Sequence, residues 1–71
     1  MQDYRLEAMF DVWPGSFDID KKTDAIAMVL PFDTKEAAEK YLHEISAVKK
    51  ESWEKKGFRC RVVWSRVEKV K

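Results

Sequence analysis

Apolar and polar residues alternate from Tyr4 to Trp13. Tyr4, Leu6, Ala8, Phe10 and Val12 share one parity, and Arg5, Glu7, Met9, Asp11 and Trp13 share the other. A period of two belongs to a strand with one buried face, so the first set is expected to meet a core. Trp13-Pro14-Gly15-Ser16 then reads as a turn. Pro14 presets φ at its second position, and Gly15 accepts the positive φ required at the third. A short second strand is expected at Phe17 to Asp20, followed by a polar turn from Lys21 to Asp24. Ala25 to Phe32 is almost uninterruptedly apolar, the pattern of a strand that is interior or covered on both faces. Pro31 has no N–H to give a ladder and should end it.

The pattern then changes period. Ala38, Leu42, Ile45 and Ser52 form a stripe flanked by Tyr41, Val48 and Trp53, which predicts a helix over residues 33–56. Lys49 falls inside the stripe, where its methylenes can cover apolar surface while the ammonium reaches water. Asp33 and Glu36 fit a capping box, with Thr34 as an alternative cap. Lys55 and Lys56 suit the negative end of the helix dipole, and Gly57 suits the residue after the helix. Phe58 to Val70 reads as a last strand. Simple alternation puts Phe58, Cys60, Val62 and Trp64 on one face, and Arg59, Arg61, Val63, Ser65 and Val67 on the other. A strand–helix–strand unit in one sheet favours a right-handed crossover joining parallel strands. The chain is therefore expected to be a single α+β domain over residues 1–71. Its architecture would be β-β-(β)-α-β, with a mixed, mostly antiparallel sheet of three or four strands and one long helix on one face.

Composition narrows this. A chain of 71 residues builds one core, and a marginal one. Small domains add disulfides, metals or oligomerisation. Cys60 is the only cysteine, so an internal disulfide is impossible and a reducing, cytoplasmic setting is expected. That leaves a homodimer as the favoured stabiliser. The alternative is a tightly packed monomer using three Trp, four Phe and two Tyr. The longest apolar run is far shorter than the roughly 20 residues a spanning helix needs, and the first residues do not read as a signal peptide. The net charge of +1 hides an asymmetry: residues 1–33 carry −4, residues 34–54 carry −1 and residues 55–71 carry +6.

Catalytic and metal chemistry find few members. Asp18, Asp20 and Asp24 resemble part of a calcium loop, but Thr23 and Val29 stand where an EF-hand needs Gly and Glu. His43, one helical turn after Glu39, is the only histidine, and two ligands do not make a site. One His and one Cys are too few for the usual triads. With only Gly15 and Gly57, there is no glycine-rich phosphate loop. No enzyme activity, cofactor or metal is expected.

The sheet face away from the helix is the surface left for function. Met9, Trp13, Arg59, Arg61 and Val63 are the expected partner-binding residues, because Trp, Met and Arg are enriched in interface cores and hot spots. The leading expectation is a non-catalytic module that binds a protein. It would act as an inhibitor or adaptor of the viral or mobile-element type, including inhibition of a nucleic-acid enzyme. The alternative is nucleic-acid binding, in which Arg59, Arg61, Arg66, Lys69 and Lys71 neutralise phosphates and Trp13 stacks on a base. The near-neutral overall charge, and Glu7 and Asp11 on the same face, weigh against that alternative.

Overall fold

The computed structural model describes residues 1–15 and 21–70. Three strands and one helix follow in the order β1 (Gln2–Pro14), β2 (Lys22–Phe32), α1 (Lys35–Lys55) and β3 (Phe58–Lys69). The strand expected at Phe17 to Asp20 lies outside the described residues. The sheet order is β2-β1-β3, and β1 is antiparallel to both neighbours. Every hydrogen-bonded pair is therefore antiparallel. β2 and β3, joined through α1, run parallel to each other with β1 between them.

β1 is the central strand, paired on both edges, and its alternation is complete. Tyr4, Leu6, Ala8, Phe10 and Val12 are all buried, with Leu6, Phe10 and Val12 wholly so. They meet Ala38 and Leu42 of α1, Ile26 of β2, and Cys60 and Val67 of β3 in one cluster. Two aromatic groups pin the ends of the helix. Phe32 packs against Tyr41 at 5.6 Å and Tyr4 at 6.4 Å. Trp53 meets Phe58 edge-on at 5.2 Å.

The helix starts one residue later than a capping box at Asp33 would place it. Thr34, in extended conformation, is the cap, and its Oγ1 accepts from the Ala37 N–H at 3.1 Å. Ala37 therefore occupies the position a capping box reserves for Glu or Gln, so Glu36 cannot complete one. Thr34→Ala should destabilise the fold by about 1 kcal/mol, read as a lower urea midpoint at unchanged slope, whereas Asp33→Ala should change little. At the other end the Gly57 N–H donates to the Glu54 carbonyl at 3.0 Å, and Gly57 has φ +84°, a conformation that favours glycine. The buried stripe is Ala38, Leu42 and Ser46, with Ile45, Lys49 and Trp53 half-buried; Val48 and Ser52 are exposed.

β2 begins at Lys22, inside the expected polar turn, and runs through Pro31 to Phe32 rather than ending at the proline. Two further sequence expectations need correction. β2 is neither interior nor covered on both faces. Among the described strands it is at the edge, and Ala25, Ala27 and Val29 are exposed. α1 packs chiefly on β3 and β1 and touches β2 least. The second correction concerns β3. The register with β1 shifts between Met9 and Phe10: Phe10 pairs with Val62, but Met9 pairs with Trp64. Val63 is the extra residue of a β-bulge, and every residue beyond it changes parity. Ser65 and Val67, expected on the open face, lie opposite Ala8 and Leu6 on the helix side, and Val67 is buried. Trp64, expected to face the helix, lies on the open face, 42% exposed. Val63 itself is exposed at the bulge rather than part of the regular face.

Candidate functional site on the open sheet face

Directly paired residues in a sheet point to the same side. The pairings therefore order the open face into rows that run across the strands. The middle row is Ala25, Met9 and Trp64. On one side of it lie Ala27, Glu7 and Arg66, and on the other Thr23, Asp11 and Arg61. Trp13 and Arg59 form the row beyond Asp11; Val29, Arg5 and Glu68 form the row beyond Glu7.

Ion pairs bracket the apolar row. Arg66 Nη2 sits 2.6 Å from Glu7 Oε1, and Arg66 Nε lies 3.5 Å from Glu68. Arg61 Nη2 sits 3.0 Å from Asp11 Oδ2. The same two guanidiniums lie over the two tryptophans, Arg61 at 5.7 Å from the Trp13 ring and Arg66 at 5.8 Å from the Trp64 ring. Each arginine is thus held by a carboxylate and an aromatic face together, which fixes long side chains that would otherwise sample many rotamers. Glu7 and its neighbour Glu68 raise the pKa of Arg66, so it stays charged at any physiological pH.

Of the residues singled out from the sequence, Met9, Trp13, Arg59 and Arg61 share this face. Trp64 and Arg66 join them because of the bulge. Arg59 lies opposite Trp13 and makes no ion pair among the described residues. The basic residues considered for nucleic acid do not form one stripe. Arg61 and Arg66 are already paired with carboxylates, Lys69 lies opposite Tyr4 on the helix-side parity, and Lys71 is outside the described residues. Across the face Arg5, Arg59, Arg61 and Arg66 are balanced by Asp3, Glu7, Asp11 and Glu68.

Other polar groups sit elsewhere. Glu39 and His43 line a shallow groove of about 390 Å³ between α1 and β3, with Ser65 and Arg66 on the opposite wall. Among the described residues no group of His, Cys, Asp and Glu is placed to hold a metal ion. Among the described residues no helix is long and apolar enough to cross a membrane. Cys60 is buried, and that burial pushes its thiol pKa up, away from the reactive thiolate.

Asp24 links sheet to helix. Its Oδ2 accepts from Lys49 Nζ at 3.0 Å and Trp53 Nε1 at 2.9 Å, and its Oδ1 from the Ala25 N–H at 2.8 Å. Desolvation pulls its pKa up, but the hydrogen bonds from Trp53, Lys49 and Ala25 outweigh this and hold it below the ordinary 3.8. A carboxylate with a depressed folded-state pKa stabilises the fold above the unfolded value and loses that contribution as pH falls through the folded one. Wild type should therefore exceed Asp24→Asn by about 1 kcal/mol at neutral pH. The two melting curves should converge as pH falls below about 4. A gap that stays constant to about pH 2 would show the carboxylate charge to be irrelevant.

No family model, curated protein or solved structure matches this chain.

Proposed function

We propose that this domain is a non-catalytic protein-binding module whose open sheet face receives a partner protein along the row Ala25–Met9–Trp64. The observation that carries the reading is Trp64. The bulge turns it away from the core, beside Met9, onto a face that no other described element covers. A large aromatic left 42% exposed beside the central strand on an open sheet face loses apolar burial unless something packs on it.

The surroundings support the same reading. An apolar centre ringed by satisfied polar pairs is the anatomy of an interface with a hot spot, and Trp and Arg are the residues that most often carry binding energy there. The Arg61–Asp11 and Arg66–Glu7 pairs need no partner to satisfy them, so they fit a rim. Arg59 is left to take a carboxylate from the other protein. The balanced charge of the face fits a protein surface better than a phosphate backbone, which rewards uncompensated cations. An inhibitor or adaptor that works by covering a partner's surface suits such a face on so small a domain.

The experiment is affinity capture with Met9→Asp plus Trp64→Ser against wild type, with recovered proteins quantified. Both side chains lie on the open face, so the double variant should keep its circular dichroism and most of its stability. A partner recovered by wild type and depleted at least about tenfold by the variant supports the reading; loss of a central aromatic anchor costs about 2 kcal/mol or more in binding. Equal recovery of every partner by a folded variant would overturn it.

A further inference from the structure

A second surface comes from backbone rather than side chains. β2 ends the described sheet, so one side of its main chain pairs with nothing among the described residues. Which residues face outward follows from two bonds. The Asp3 carbonyl accepts from Val70 N–H at 2.9 Å, so odd-numbered residues of β1 bond toward β3 and even-numbered ones toward β2. Even-numbered β1 residues pair with even-numbered β2 residues, Tyr4 with Leu30 and Leu6 with Met28. The groups pointing out of the sheet therefore belong to Thr23, Ala25, Ala27, Val29 and Pro31. The Ala25 N–H, turned to Asp24 Oδ1 instead of β1, agrees.

The two edges of the sheet differ. The β3 edge carries Arg59, Arg61, Arg66 and Lys69 and is bent by the bulge, which are the usual protections against strand addition. The β2 edge has no bulge; its charges, Lys22 and Asp24, are confined to its start, and its one proline, Pro31, to its end. From Ala25 to Phe32 it has no charge and no bulge, and its pairing with β1 is regular over its whole length. Long, flat and apolar edges pair with other strands. The helix is also set back from it. Ile26, Met28, Ile45 and Val48 line a groove of about 440 Å³ between β2 and α1.

We infer that β2 pairs antiparallel with β2 of a second copy, about a two-fold axis at Ala27, to give one continuous six-stranded sheet. The strand is self-complementary in that register. Ala27 N–H donates to the Ala27 carbonyl of the second copy and the reverse; Val29 N–H meets the Ala25 carbonyl, and Thr23 N–H meets the Pro31 carbonyl. Only the nitrogens of Ala25, already bonded, and Pro31, which has no hydrogen, do not donate across. On the helix side Ile26 comes opposite Met28 of the second copy, so each groove gains an apolar wall. At the strand ends Lys22 comes opposite Phe32 and beside Asp33 of the second copy, so opposite charges meet where the sheet returns to water. A strand from an unrelated protein would satisfy the backbone, but only this sequence supplies its own matching ends and groove wall.

The test is sedimentation equilibrium of wild type, Ala27→Lys and Ala27→Pro, with amide hydrogen exchange on wild type at high and low concentration. Ala27 is exposed and its N–H points out of the sheet, so neither substitution removes a bond to β1. Ala27→Lys sets two ammonium groups face to face on the axis, and Ala27→Pro removes the central donors. The expected results are a wild-type dimer, at least tenfold weaker dimerisation in both variants, and Ala27 and Val29 amides protected only at high concentration. Trp64→Ser should remain dimeric, which keeps this outcome separate from that of the open face. A wild-type monomer at high concentration overturns the inference. So does a dimer that both folded Ala27 variants retain, since it must use another surface. Should a variant fail to fold, the wild-type exchange decides: Ala27 and Val29 amides that exchange equally fast at both concentrations overturn the pairing.

Discussion

Phe10→Ala should remove about 3–5 kcal/mol of stability, the largest effect of any single substitution in this domain. Phe10 is wholly buried and is the largest of the fully enclosed side chains. It lies on the central strand opposite Val62 and Asp24, so strands approach it from both sides and α1 from above. Leu6 and Val12 are themselves fully enclosed, and closing a gap between packed secondary elements requires moving a whole strand. A domain of 71 residues holds about 4–10 kcal/mol in total, so the variant should be partly unfolded at 25 °C and lose its cooperative urea transition. A loss under about 1.5 kcal/mol would mean that the core is not organised around this residue.

Val67→Asp and Trp64→Asp should have opposite outcomes from those that strict alternation along β3 gives. Alternation puts Trp64 in the core and Val67 in water. The bulge at Val63 reverses both. Val67 is 8% exposed and paired with Leu6, which is wholly buried, so a carboxylate there is desolvated with no described cation opposite it. Such a group costs about 3 kcal/mol or more. Trp64→Asp changes a residue whose ring is already in water beside Arg66, and should shift stability by about 1 kcal/mol or less. Urea denaturation of the pair reads the difference directly. If Trp64→Asp unfolds the protein and Val67→Asp does not, the bulge is misplaced and the open face must be redrawn.

These two residues also mark where sequence reasoning stopped. Strand β1 was legible because its alternation runs unbroken for nine residues from Tyr4 and matches the buried set position for position. The helix was legible from its stripe and Gly57. Its start was displaced by one residue because Asp33 and Thr34 are both good caps, and only backbone geometry decides between them. β3 failed at one point. A bulge inserts a residue without altering composition, so a count by twos carries the error through every later position. The signal was present: Val62-Val63-Trp64 breaks the alternation, and the next buried residue, Val67, has the other parity from Cys60. β2 was misplaced for a different reason. Continuous apolarity marks a strand covered on both faces, and no other described element of the chain covers its open face, where Ala25, Ala27 and Val29 lie. In the site, Met9, Trp13, Arg59 and Arg61 followed from parity alone, while Trp64 and the bracketing ion pairs needed the register.

The strand order also dictates when the sheet can close. β1 is made before β2 and β3, yet it stands between them. Its hairpin with β2 needs only a short connection and can form in about 1–10 μs. Its other edge waits for β3, which brings Lys69 opposite Tyr4 and Val67 opposite Leu6. At ribosomal speeds of about 5–20 residues per second, that wait lasts several seconds. Throughout it the growing chain exposes the edge of β1 in place of the charged, bulged edge of β3, with Leu6 and Phe10 lacking a wall. The nascent protein is therefore most prone to misassociate just before β3 emerges, and a holdase that shields β1 at that stage would raise yield without changing final stability.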